Sequence, residues 1–134
     1  MVKDDRFSRG FTLIELLIVM TLLVVLASIG MPTYQNSVRR AREATLKEDL
    51  FRMRDAIDQY YADKTKYPQS IQDLVTDGYL REIPKDPITD SRDTWTTVPA
   101  EPDPNNPAAE PGVYSVKSGS EATSMEGTKY SEWD

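Results

Sequence analysis

Enzymes need groups that carry protons, hold metals or attack electrophiles, and this 134-residue chain has few of them. It has no histidine and no cysteine. The commonest general base, the commonest metal ligand, the thiolate zinc site, the cysteine nucleophile and the disulfide are all absent. No pair of carboxylates in the sequence defines an acid–base site. Three features remain. Glu15 is the only charged residue between Gly10 and Val38. Arg39, Arg40 and Arg42 form a cationic cluster directly after that run. The last half of the chain is acidic and rich in oxygen donors, a composition that suits a hard cation such as calcium. Glu15 raises the sharpest question. A carboxylate inside lipid costs several kcal/mol unless a partner meets it. Either the segment does not sit in lipid, or the partner lies outside this chain.

The elements around these groups read as follows. Residues 1–10 are polar and carry Lys3, Arg6 and Arg9, a charge pattern that keeps this end in the cytoplasm. Residues 16–29 are almost wholly aliphatic, and 16–38 carry no charge. About 20 helical residues span roughly 30 Å, the hydrocarbon thickness of a bilayer. The run is long for a secretory signal and no A-x-A site follows it. It therefore reads as a membrane-spanning helix with the C-terminal part outside.

Gly30 and Pro32 close the run as a helix break. The helical pattern then resumes. Val38, Ala41, Leu46, Leu50, Met53, Ile57 and Tyr60/Tyr61 recur mostly at three and four residues, with charges opposite. This predicts one long helix from Phe11 to about Lys64, weakened near Gly30–Pro32. Thr65 to Pro68 end it. A short helix follows at about 70–78, capped by Ser70 and stopped by Gly78. Asp93 to Val98 and Gly112 to Ser118 are β-rich, separated by a proline-rich loop. Residues 39–66 are nearly charge-balanced, whereas 67–134 carry thirteen acids against five bases. That acidic half disfavours nucleic acid as a partner.

Residues Gly10-Phe11-Thr12-Leu13-Ile14-Glu15 after Arg9, followed by the aliphatic run, strongly resemble the N-terminal signal of the type IV pilin-like family. The resemblance implies that a prepilin peptidase cuts between Gly10 and Phe11 and methylates the new Phe11 amine. It gives Glu15 its partner: in a helical stack, the Phe11 ammonium of one subunit lies beside the Glu15 carboxylate of its neighbour. An intrahelical pair with the chain's own Phe11 amine is the competing arrangement. It also implies that the Gly30–Pro32 region melts in the filament, although Pro32 equally marks the point where the helix leaves the membrane.

The globular half resembles the G-type major pseudopilin of type II secretion. The resemblance rests on Tyr67-Pro68, Ile71 and Leu74 with Gly78-Tyr79-Leu80, Ile83 to Pro87, Tyr114 to Ser120, and Trp133. The major subunit of that family binds calcium in the loop after the "YSL"-like strand, largely through aspartates. Here no aspartate lies between Asp103 and Asp134. Glu121 and Glu126 stand where carboxylates are needed, with Ser118, Ser120 and Ser124 as further oxygens. The bland alternative is a solvated acidic loop fixed by Tyr130 and Trp133. The arginine cluster reads as a membrane-exit face, or as a source of ion pairs to Glu43, Glu48 or Asp49 of a neighbour.

The expected fold is α+β: a long N-terminal helix, transmembrane in its first half, packed on a small antiparallel sheet of two or three strands. The expected divisions are a leader (1–10), a transmembrane and assembly helix (11–32), and a periplasmic domain (33–134) whose amphipathic helix runs 33–65. The expected role is non-enzymatic: a subunit of an inner-membrane filament, with the C-terminal domain in the periplasm. Its implied partners are other copies of itself, minor pseudopilins, the prepilin peptidase and an inner-membrane assembly platform. The alternatives are a type IV pilus pilin for adhesion or motility, and a membrane-tethered binding domain that never polymerises.

Overall fold

A computed structural model describes residues 10–134; the expected leader, apart from Gly10, lies outside the described residues. The chain divides into two compact units, parting between Val38 and Arg39.

Helix α1 spans Leu13–Lys64. Its part within the first unit is built from leucine, isoleucine, valine and methionine, and every residue from Phe11 to Ser37 is exposed. It contains a stretch of mean hydropathy 2.6 with none of its surface buried, long and apolar enough to cross a membrane. Its hydroxyls are turned back onto the helix. Thr21 donates to the Leu17 carbonyl at 2.8 Å, Ser28 to that of Val24 at 2.8 Å, and Thr33 to that of Ile29 at 3.0 Å. Such back-bonding satisfies polar atoms in an apolar surrounding without a partner chain. The expected break does not appear: α1 stays helical through Gly30 and Pro32. Proline removes the N–H that would have reached the Ser28 carbonyl, and the helix continues past that one missing bond.

In the second unit the buried stripe of α1 is Leu46, Leu50, Met53, Ile57 and Tyr60, stepping by four and three residues. It meets Leu74, Trp95, Val113, Val116 and Tyr130 in one core. Val38 is half-buried, whereas Ala41 and Tyr61 of the expected stripe are exposed. Helix α1 ends at Thr65, whose φ of 55° is left-handed and whose N–H donates to the Tyr61 carbonyl at 2.7 Å. Helix α2, Ile71–Thr76, starts with a full capping box. The Ser70 side chain accepts from the Asp73 N–H, and Asp73 accepts from the Ser70 N–H. Gly78, with a φ of 82°, lets the chain reverse so that Tyr79 and Leu80 donate to the Leu74 carbonyl.

The sheet has two strands, β1 (Thr96–Pro99) and β2 (Val113–Lys117), paired antiparallel. Thr96 faces Lys117 and Val98 faces Ser115, and a register shift between Val98 and Pro99 places Pro99 opposite Val113. The bulge falls at the proline, which has no N–H to give to a ladder. β1 starts later than its β-rich residues suggest. Asp93 donates to the Ser91 hydroxyl in a turn, and the Trp95 indole donates to the Pro84 carbonyl at 2.7 Å, so both belong to the preceding loop. The proline-rich loop between the strands is closed at its base by Ala100 donating to the Gly112 carbonyl. Gly119 follows β2 because any Cβ there would overlap the Thr94 carbonyl oxygen. The fold is α+β, as the sequence predicts.

Candidate functional site

The N-terminal segment is organised by its own helix start. Thr12 precedes α1, and its Oγ1 accepts from the Glu15 N–H at 3.2 Å. Leu16 donates to the Thr12 carbonyl, which closes the first turn. Thr12 and Glu15 are therefore N-cap and third residue, the T-x-x-E spacing of a capping box, a signal that sequence reasoning did not use. The arrangement places the Glu15 carboxylate in the first turn, where the positive end of the helix dipole favours an anion. Phe11 lies just outside the helix and is 85% exposed. Among the described residues, none donates a hydrogen bond to the Glu15 carboxylate. The other polar side chains of the apolar run, Thr21 and Ser28, are satisfied internally. Glu15 thus stands out chemically: an anion at the head of an uncovered aliphatic helix.

Within the second unit the stripe of α1 continues backwards from Leu46 through Glu43 and Arg39, still at steps of three and four. These two polar residues grip the C-terminal loop. Glu43 Oε1 accepts from the Met125 N–H at 2.9 Å and from the Tyr130 hydroxyl at 2.8 Å. The Arg39 guanidinium donates to the Thr123 carbonyl and stands 3.9 Å from Glu43. Further along α1, Lys47 lies over the Trp133 ring at 4.9 Å. Arg54 donates to the Trp133 carbonyl at 3.0 Å, the Val116 carbonyl at 3.1 Å and the Ser115 hydroxyl at 2.9 Å. Tyr130 is buried and packs edge-on against Trp133 at 5.1 Å, so both act as the expected anchors. Burial pushes the Tyr130 hydroxyl pKa up, Arg39 pulls it down, and Glu43 pushes it up again. The polar character of Arg39 and Glu43 points to a solvated face and hides this role. Their place in the three-four stripe was the available clue.

The arginine cluster is divided. Arg39 turns to its own Glu43, and Glu48 is taken by Arg52 at 2.9 Å. Asp49 is half-buried; burial raises its pKa, Arg52 opposes this, and the Asp86 and Glu48 charges add to it.

The four calcium candidates, Glu121, Glu126, Ser118 and Ser120, are not gathered into one ligand set. Ser118 is buried at the end of β2 and donates to Asp86 Oδ2 at 2.6 Å, while its oxygen accepts from the Ser120 N–H. Ser120 Oγ accepts from the Ala122 N–H. Glu121 pairs with the Lys129 ammonium at 3.5 Å. Glu126 lines a recess with Lys47, Thr128, Glu132, Trp133 and Asp134, and Glu121 does not line it. No group of three or more acidic side chains among the described residues has metal-binding geometry. Asp86 is the residue that sequence reasoning missed. It is fully buried, its Oδ1 accepts from Ile88 and Thr89 N–H groups, and its Oδ2 holds Ser118. The D-P-I-T spacing is an Asx-turn signal.

Residues 5–31 match the family model for the prokaryotic N-terminal methylation motif. The type II secretion system core protein G of Klebsiella pneumoniae is 34% identical over 95 residues, covering 59% of this chain and 68% of its own length. The protein of that name from Klebsiella michiganensis is 32% identical over 95 residues (59% and 67%), and that from Vibrio cholerae 31% over 101 residues (64% and 69%). This chain belongs to the type II secretion system core protein G family. It is a G-type pseudopilin. No solved structure matches it significantly. The pseudopilin identity agrees with a methylation motif ahead of an exposed apolar helix in the first unit and, separately, with the small α+β domain of the second.

Proposed function

We propose that this pseudopilin polymerises at the bacterial inner membrane into a filament that drives protein secretion through the outer membrane. A prepilin peptidase removes residues 1–10 and methylates the Phe11 amine. The helix 11–32 anchors the subunit in the membrane and later lies in the filament core. The domain from residue 33 onward remains in the periplasm. Its role is structural, and its partners are further copies, minor pseudopilins and the assembly platform.

The observation that carries this reading is the Glu15 carboxylate at the head of an apolar helix surface that nothing among the described residues covers. In lipid that anion is poorly solvated. Beside a neighbour's Phe11 ammonium it gains an opposite charge at hydrogen-bond range, which offsets its desolvation and favours docking. Family membership favours this over a tethered domain that stays monomeric. The experiment is filament yield by electron microscopy when the subunit and its machinery are overexpressed, with mass spectrometry of the N-terminus as a control. Glu15→Leu is expected to be cut and methylated normally yet to give few filaments. Wild-type yields from Glu15→Leu would sink the proposal.

A further inference from the structure

The calcium expected in the C-terminal loop has few oxygens left to bind. Calcium takes six to eight oxygen ligands at about 2.3–2.6 Å. In this loop the chain's own donors already engage many of them. The Ser120 carbonyl accepts from Ser131, the Ala122 carbonyl from Tyr130, the Ser124 carbonyl from Gly127, and the Thr128 carbonyl from Ser124. The Thr123 carbonyl accepts from Arg39 and the Trp133 carbonyl from Arg54. The hydroxyls of Ser118, Ser120 and Ser124 each accept a backbone N–H. Of the two acids in this hairpin, Glu121 faces the Lys129 ammonium, and Glu126 sits in the exposed turn, lining a recess that Glu121 does not share.

We infer that this pseudopilin closes its C-terminal loop without calcium, by a cationic latch in which Arg39, Arg54 and Lys129 supply the positive charge that a divalent ion would supply. The three cations act at different points. Arg39 and Arg54 tie the loop's Thr123 carbonyl and the terminal Trp133 carbonyl to α1. Lys129 neutralises Glu121 across the Thr123–Lys129 bridge, where a bare carboxylate would otherwise invite a metal. The latch is side-chain chemistry within the second unit, so it holds whether or not the filament reading does.

The test is thermal unfolding of the full-length protein in detergent micelles, followed by near-ultraviolet circular dichroism, with calcium and with chelator. The wild type is expected to melt at the same temperature in both, and calorimetry to show no stoichiometric calcium binding. A melting temperature raised by calcium, or one bound ion per chain, overturns the inference. Arg54→Met is expected to lower the melting temperature by about 5–10 °C equally in both media, given three charge-assisted hydrogen bonds lost. Lys129→Met, at an exposed site that folding tolerates, is expected to speed protease cleavage within residues 118–134 severalfold in both media. Unchanged melting in Arg54→Met together with unchanged cleavage in Lys129→Met would refute the latch.

Discussion

Glu43 offers the most exacting test of how the C-terminal loop is held. Its side chain is 12% exposed, and one oxygen accepts from both the Met125 N–H and the Tyr130 hydroxyl. Glu43→Ala removes a charged acceptor from two donors, and the Tyr130 hydroxyl belongs to a residue only 2% exposed. A hydrogen bond to a charged group contributes about 1.5–3 kcal/mol, and a stranded buried donor adds its desolvation cost. The loop is thin enough for water to reach Met125, so the lower half of the sum applies, about 2–4 kcal/mol. For a domain of this size each kcal/mol lowers the melting temperature by about 4–8 °C, so a fall of at least about 8 °C is expected. Glu43→Gln keeps an acceptor and should lose about half as much. The assay is near-ultraviolet circular dichroism during heating, which reports Tyr130 and Trp133 packing directly. A double-mutant cycle with Tyr130→Phe then isolates the pair. Strictly additive effects, or an unchanged melting temperature in Glu43→Ala, would refute the assignment of Glu43 as the loop's anchor.

Other substitutions probe separate parts of the domain. Asp86→Ala strips three hydrogen bonds from a fully buried turn and should cost about 2–4 kcal/mol in urea unfolding, with Asp86→Asn closer to 1. Thr65→Asn should stabilise by about 1 kcal/mol, since asparagine accepts the left-handed φ of 55° that a β-branched residue resists; a lower urea midpoint would contradict this. Asp49 has its folded pKa raised above the ordinary 3.8, so its protonated form contributes stability that is present below 3.8 and lost as pH rises through the raised value. Asp49→Asn should therefore stabilise the domain in urea unfolding at neutral pH, by no more than about 0.5 kcal/mol after solvent screening, and the gain should vanish below pH 3.8.

The long helix, the short capped helix and the strand pair were legible because each carries a local signal: aliphatic run and three-four stripe, Ser70 with Gly78, alternating β-branched residues. The predicted single helix runs through Pro32, where proline leaves one backbone hydrogen bond unmade. The limits of β1 were not legible, since Trp95 is drawn out of the strand by a long-range bond to Pro84. Long-range partners explain the other gaps. Glu43 and Asp86 look like ordinary surface acids until Tyr130 and Ser118 are brought to them by the fold. The oxygens of residues 118–126 looked available for a metal because their donors, Arg39 and the backbone of 127–131, are distant or conformational. The N-terminal segment was the most legible part, because its meaning lies in contiguous residues, although the capping role of Thr12 went unread.

The central claim is that Glu15 finds its counter-charge on another subunit. A helical reconstruction of the assembled filament by electron cryomicroscopy measures this directly. The account predicts the Phe11 amine of one subunit within hydrogen-bond distance of a neighbour's Glu15 carboxylate throughout the filament core. A Glu15 carboxylate bound to the Phe11 amine of its own chain, or facing lipid with no cation beside it, would contradict it.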